Sequence, residues 1–231
     1  MRLTIGGEQV NYLGDCGTPT IYLLNVKILI NSFISSPNAN FITIDIKDFY
    51  LNTPMAQSEY MRLTLSDLPE NVISHYNLEE KVTTNGLVYV EIKQGMSGLP
   101  HSDLIPQHLL EKRINKQGYK QSALTPGLWT HAWRPITFSL CVDNFGAKYV
   151  GKQHDDHLNA VICKHYKISN DWSSKRYLGL DLDWDYKNRK VHLSMLTYVT
   201  SSLKRFNHTQ PCKPQHQPYP HIKPIYSATS Q

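Results

Sequence analysis

At 231 residues, 40% hydrophobic and 19% charged, the chain is long enough for one medium domain or two small ones around a real core. This balance excludes a disordered acidic chain, and no apolar run approaches the ~20 residues of a spanning helix. Net charge is +5 but unevenly spread: residues 1–110 hold 6 Lys/Arg against 11 Asp/Glu, and residues 111–231 hold 18 against 8. A basic half joined to an acidic half points to a polyanionic partner on one side, although solvated surface charge explains the count equally well. Cys16, Cys141, Cys163 and Cys212 form no CxxC pair, which excludes a zinc ribbon and offers no disulfide framework. The opening Met1-Arg2-Leu3-Thr4-Ile5-Gly6-Gly7 lacks the apolar region of a secretory signal, so a soluble, intracellular protein without a membrane partner is expected.

In chain order, Thr18-Pro19 followed by Ile21, Leu24, Ile28 and Phe33 predicts a helix from about 19 to 35. Phe41–Ile46 alternates, with Ile42, Ile44 and Ile46 on one face and Thr43 and Asp45 on the other, the pattern of a half-buried strand. Tyr60–Leu65 is a second short strand, and Asn85-Gly86 turns into a third at Leu87–Ile92. Ser102 to Gln117 predicts a helix with Leu104, Ile105, Leu109 and Ile114 inward and Gly118 as its stop.

Ile136–Val142, a turn at Asp143-Asn144-Phe145-Gly146 and Ala147–Val150 form a hairpin. His154–Tyr166 is helical, with Leu158, Val161, Ile162 and His165 on one side. Leu178, Leu180, Leu182 and Trp184 alternate with Gly179, Asp181, Asp183 and Asp185, and a turn at Lys187-Asn188-Arg189 returns the chain through Val191–Leu193. A last helix spans Thr197 to Phe206. The five prolines between Pro211 and Pro224 forbid regular structure, so 1–208 is the expected folded part and 209–231 a tail or linker. Strands in hairpins interleaved with helices predict an α+β fold, an antiparallel sheet with helices on one face.

Two acids interrupt this pattern. Asp45 ends an apolar strand close to Asp48, and Asp143 sits at the tip of an apolar hairpin. A carboxylate beside an apolar layer is costly unless paired or bound to a cation. Two carboxylates brought together repel, and a divalent ion removes that penalty. Oxygen ligands favour magnesium, and a site with two ions suits phosphoryl transfer. Taken singly, turn chemistry is the better account of Asp143, and a local cap or a pair with Lys47 the better account of Asp45.

The order of motifs adds a family. Asp45-Ile46-Lys47-Asp48-Phe49-Tyr50-Leu51-Asn52, Gln94-Gly95-Met96-Ser97-Gly98-Leu99-Pro100, Val142-Asp143-Asn144, Tyr177-Leu178-Gly179-Leu180-Asp181-Leu182 and Arg2-Leu3-Thr4-Ile5 resemble motifs of the reverse transcriptases of LTR retrotransposons, most closely the copia-type branch. The likeness implies a right-hand polymerase palm with partial fingers and a thumb remnant. It implies an RNA-directed DNA polymerase that uses two Mg²⁺ ions, or Mn²⁺, with an RNA or DNA template, a primer and deoxynucleoside triphosphates. By resemblance, Asp45 and Asp143 hold the ions, with Asn144 beside them. Ile46, Asp48, Tyr50, Gln94, Gly95 and Arg2 line the nucleotide, Tyr50 as the ring that excludes a 2′ hydroxyl. Leu178 and Gly179 form the primer grip. Lys112, Arg113, Lys116 and Lys120 are expected to meet template–primer phosphates, or else to be an exposed helix face. The family's setting implies a nuclear or cytoplasmic-particle location.

Asn144 departs from the family, which places a second Asp there; an amide supplies no charge and one oxygen rather than two. Ser97 and His101-Ser102-Asp103 also depart. With no fingers lysine ahead of Arg2 and no RNase H segment after residue 231, the expectation is a truncated copy with weakened or lost activity. The alternative is a non-catalytic, nucleic-acid-binding relic of the same fold. Asp181-x-Asp183-x-Asp185 fails as a calcium loop because Tyr186 and His192 occupy its glycine and glutamate positions. Gln153-His154-Asp155-Asp156-His157 reads as a helix start whose acids face the N-terminal dipole.

Overall fold

Alternation places Ile42, Ile44 and Ile46 on one side of a strand, and that side faces the main core. The computed structural model describes residues 17–96, 98–99 and 104–208. Arg2, Ser97, His101-Ser102-Asp103 and the 209–231 tail lie outside the described residues. Strand β1 (Ala39–Ile46) pairs with β7 (Asn144–Val150) and β8 (Ile168–Asp171). Strands β4 (Tyr119–Gln121), β5 (Leu128–His131) and β6 (Ile136–Cys141) complete an antiparallel six-stranded sheet in the order β4-β5-β6-β7-β1-β8.

One face of the sheet packs Ile42, Ile44, Phe138, Leu140 and Phe145 against helices α3 (Leu104–Asn115) and α4 (Lys152–Cys163), through Leu110, Ile114, Leu158 and Ile162. The expectation of helices on one face alone is corrected. Phe41, Leu128 and Cys141 make the other face apolar too, and it is covered by α1 (Leu23–Ser35) and by a three-stranded sheet. That sheet runs β11-β10-β9, from β9 (Arg176–Tyr177), β10 (Leu180–Asp185) and β11 (Lys190–Ser194). Trp184 of β10 stacks on Phe41, ring centroids 5.1 Å apart.

A smaller unit pairs β2 (Pro54–Thr64) with β3 (Leu87–Gln94) beside α2 (Glu70–Tyr76), around Ile73, Leu78 and Val88. Helix α5 (Leu196–Arg205) buries no residue, and its Leu196, Val199 and Leu203 are exposed. Among the described residues no helix is long and apolar enough to cross a membrane.

Several boundaries differ from the sequence reading. Helix α1 starts at Leu23 with Tyr22 at its N-cap and no side-chain cap, and the Thr18 hydroxyl is buried without a partner. Helix α3 is rotated, burying Pro106, Gln107, Leu110 and Ile114 rather than Leu104, Ile105 and Leu109. The hairpin turns at Val142-Asp143, because Leu140 pairs with Phe145 and both belong in the core. Leu178-Gly179 is likewise a turn, not strand, since Tyr177 pairs directly with Leu180. Helix α4 ends at Cys163, leaving His165 exposed beyond it.

Candidate functional site

The register of β1 sets the site. Asp45 lies directly opposite Asn144 on β7 and Ser169 on β8, so the three share a face. Val142 and Asp143 form the two-residue turn before Asn144, with Val142 at φ 59. A β-branched residue is strained there, at a position that usually takes glycine. The turn is tied down because the Ile46 N–H donates to the Asp143 carbonyl at 3.0 Å. The Asn144 side-chain amide donates to Asp143 Oδ1 at 2.6 Å, which ties the Asp143 carboxylate to the residue paired with Asp45. Asp45 is exposed and Asp143 half-buried.

Among the described residues no three His, Cys, Asp or Glu side chains gather closely enough to enclose a metal. Two carboxylates and an amide, all oxygen donors at an open strand end, nevertheless fit magnesium, which keeps waters and takes one or two carboxylates with substrate phosphates. The amide hydrogen bond from Asn144 holds Asp143 Oδ1 at this strand end.

Beside these residues is a cavity of about 390 Å³, lined by Thr43, Asp45, Asn144, Arg176, Leu178 and Gly179 among others. The β9–β10 turn reaches it with Leu178 at φ 45 and Gly179 at φ 81, the left-handed pair of a tight hairpin turn. Tyr177 fixes that turn to the large sheet. It is 3% exposed; its hydroxyl lies 2.9 Å from Ser139 Oγ and donates to the Ser139 carbonyl at 3.2 Å. Its ring covers Gly146, where a Cβ would fall 2.6 Å from Tyr177 Cε1, so the ring needs glycine beneath it. The Ser173 hydroxyl holds Asp171, another residue lining the cavity, below the usual carboxylate range. Burial, then the charge of Asp143, pushes the Cys141 thiol up.

The second motif meets the first. Tyr50 opens a short helical turn, Tyr50–Asn52, held where the Asn52 amide donates to the Asp48 carbonyl at 2.7 Å. Asp48 itself is exposed at φ 52. Pro54 pairs with Gln94, and the Gly95 N–H donates to the Thr53 carbonyl at 2.9 Å. A Cβ on Gly95 would lie 2.8 Å from the Tyr50 carbonyl oxygen, so the absent side chain allows this approach. Gln94 is exposed and Tyr50 half-buried.

Other predicted residues are not brought to the cavity. Lys112, Arg113 and Lys116 belong to α3 or its end, on the opposite face of the sheet, and Lys120 to β4 at its far edge. Arg113 lies 5.0 Å above the Tyr166 ring. Asp155 is buried rather than facing solvent at the helix start. Its Oδ2 accepts from Asn159 at 2.9 Å, and burial, then the charge of Asp156, raises its pKa to about 6. Sequence reasoning missed Arg176, Ser139 and the packing of Tyr177 on Gly146, because Gly146 follows turn-forming residues in the chain.

No family model matches the chain, and no curated protein matches it. Among solved structures it is similar to a telomerase from Candida albicans in complex with a TWJ fragment of telomeric RNA, at TM-score 0.44 and 11% identity, covering 76% of this chain and 34% of that one. It is also similar to a telomerase from Candida tropicalis in complex with a TWJ fragment of telomeric RNA (TM-score 0.41, 12% identity, 79% of this chain and 36% of that one). An apo telomerase from Candida tropicalis truncated from its C-terminal domain gives TM-score 0.40 and 13% identity, with 75% and 40% covered. The likeness is distant, and the chain spans between 34% and 40% of the length of these structures.

Proposed function

We propose that the chain is a reverse-transcriptase-type nucleotidyltransferase domain, RNA-directed and copying onto a DNA primer, from a copia-type retrotransposon Pol. In this reading the six-stranded sheet is the palm, β2, β3 and α2 are partial fingers, and α5 is a thumb remnant. The observation that carries it is the strand-end constellation: Asp45 opposite Asn144, with Asp143 at the adjoining tip. The Leu178-Gly179 turn reaches the same cavity.

Asp45 and Asp143 would hold two Mg²⁺ or Mn²⁺ ions, which supply charge stabilisation to a transferring phosphoryl group. Asp45 is presented at an open strand end, and Asp143 is oriented by the Asn144 amide and by the Ile46 N–H. The Ile46 carbonyl and Asp48 lie on the nucleotide side. The Tyr50 ring underlies the sugar, and Gln94 with the Gly95 backbone frames the nucleotide. Leu178 and Gly179 seat the primer end, fixed from below by Tyr177.

With an amide at Asn144 the site has one carboxylate fewer than the motif it resembles. Even removal of an outer-shell partner typically costs ~10–100-fold in metal affinity or activity, so activity should be lowered at least that far. Primer extension on RNA with Mg²⁺ and with Mn²⁺ tests this, and Asn144→Asp should extend at least ~10-fold faster. Equal rates for the two would remove the argument about the amide. One observation favours a second reading. The Asn144–Asp143 hydrogen bond at 2.6 Å satisfies part of that carboxylate without a cation, as suits a non-catalytic nucleic-acid-binding relic. Salt-dependent binding of an RNA–DNA hybrid, with no extension by either variant, would select it.

A further inference from the structure

Strand β6 is six residues long and separates the β5–β6 turn from the carboxylates at its other end. The β5–β6 turn, with Trp133 and Arg134, therefore lies roughly 20 Å from the Val142-Asp143 tip. Trp133 is 69% exposed, yet its ring is not loose. The Arg134 guanidinium lies 4.1 Å from the ring centroid. His131 and His154 stand nearly perpendicular to the ring, at 5.3 Å and 6.3 Å.

The backbone beneath is also fixed. The Trp133 and Arg134 N–H groups each donate to His131 Nδ1 at 3.3 Å. With Nδ1 accepting, the neutral ring carries its proton on Nε2, which donates to the Gln117 carbonyl at 3.0 Å. Burial lowers the His131 pKa; the hydrogen bond to the Gln117 carbonyl opposes this, and Arg134 and His154 add to the lowering. Gly118 leaves room for it, since a Cβ there would fall 2.8 Å from His131 Nε2.

A rigid, outward indole with a guanidinium over it has the two parts that hold single-stranded nucleic acid: a π-face that stacks any base, and a cation for the neighbouring phosphate. Arg134 and His154 are the charged or basic side chains that act on His131, with Asp155 an acid near this group through Tyr119, and residues 111–231 carry the positive surplus. A second exposed pair, Lys152 4.4 Å from the Trp172 ring, lacks free charge because Lys152 is bound to Asp156 at 2.8 Å.

We propose that Trp133 and Arg134 form a contact for single-stranded nucleic acid, one base stacking on the open face of the indole and Arg134 meeting the adjacent phosphate. Nothing in this site reads a 2′ hydroxyl, so RNA and DNA strands should bind alike. The proposal does not rest on the polymerase reading and stands if the chain extends no primer.

The test titrates the full chain with short oligo(dU), oligo(U) and oligo(dT) at two salt concentrations, reading binding and tryptophan quenching. Trp133→Ala should weaken all three about 5- to 100-fold, and Arg134→Gln should reduce the slope of log affinity against log salt by about 0.7. Trp172→Ala should leave affinity unchanged, and Trp133→Tyr should keep most of it. Unchanged affinity in Trp133→Ala overturns the proposal, as does equal weakening by Trp172→Ala. Should Trp133→Ala melt early, Arg134→Gln decides alone, and an unaltered salt slope there is equally fatal.

Discussion

Gly146→Ala probes the contact that holds the β9–β10 turn over the cavity. The new methyl would lie 2.6 Å from Tyr177 Cε1, 2.7 Å from its Cζ and 3.0 Å from Phe41 Cζ. Ordinary carbon–carbon contacts are ~3.5–4.0 Å, so the Tyr177 ring must retreat by about 1 Å. It cannot do so freely, being 3% exposed and bonded to Ser139 at 2.9 Å and 3.2 Å. Overpacking of this kind costs ~1–3 kcal/mol, and stretching two buried hydrogen bonds adds up to ~1 kcal/mol each. A total of about 2–4 kcal/mol is expected, a large share of a typical ~5–15 kcal/mol.

Urea unfolding followed by circular dichroism reads this as a midpoint lowered by about 1 M, given slopes of ~1–3 kcal/mol/M. The cycle with Tyr177→Leu isolates the cause, because a smaller side chain should recover about 1–2 kcal/mol of coupling. A cost under ~0.5 kcal/mol, or the same cost in both backgrounds, would refute the claim that the ring dictates this glycine.

Tyr177→Phe should keep the packing but cost about 1–2 kcal/mol in the same assay by removing the hydroxyl from Ser139; a neutral result would mean that shape alone anchors the turn. Gly95→Ala should destabilise by about 1–3 kcal/mol, because its methyl meets the fixed Tyr50 carbonyl rather than a side chain that can rotate, and an unchanged thermal midpoint would contradict that. Asp155 titrates near 6 when folded against an ordinary 3.8, so the folded state binds the extra proton between those values. Its contribution is present in acid and is lost as pH rises from about 4 to about 6. Asp155→Asn should therefore match wild type near pH 4 and exceed it above pH 6, and a stability difference that does not change with pH would count against this.

The legible parts of the fold are those where one strand has one apolar face. Ile42, Ile44 and Ile46 gave β1 and its orientation, and Leu182 and Trp184 gave most of β10. Strands β4, β5 and β8 were missed because three or four residues cannot display a period, and Ile168-Ser169-Asn170-Asp171 has one apolar residue at a sheet edge. The second covered face was missed for a different reason. Thr43 reads as solvent-facing until β9, β10 and α1 close over that side, and it is then 8% exposed. The last helix was legible from its 3.6-residue period, although period alone did not reveal that its apolar side would remain open.

The candidate site divides along the same line. Asp45 and Asp143 stood out because each breaks an apolar pattern locally, and pairing across β1 and β7 sets Asp45 opposite Asn144, the residue after Asp143. The turn was misplaced because Asp143-Asn144-Phe145-Gly146 is turn-like in composition, whereas the core demands Phe145 and the Tyr177 ring demands Gly146. That leaves Val142 to take the left-handed position at φ 59. Its strain of about 1–2 kcal/mol is offset by the Ile46–Asp143 and Asn144–Asp143 hydrogen bonds, which the tight turn makes possible. The carboxylate is thus oriented by a turn that the core places, and no residue within the turn specifies it. Such a dependence, on Tyr177 some thirty residues onward, is tertiary and has no local signature in the chain.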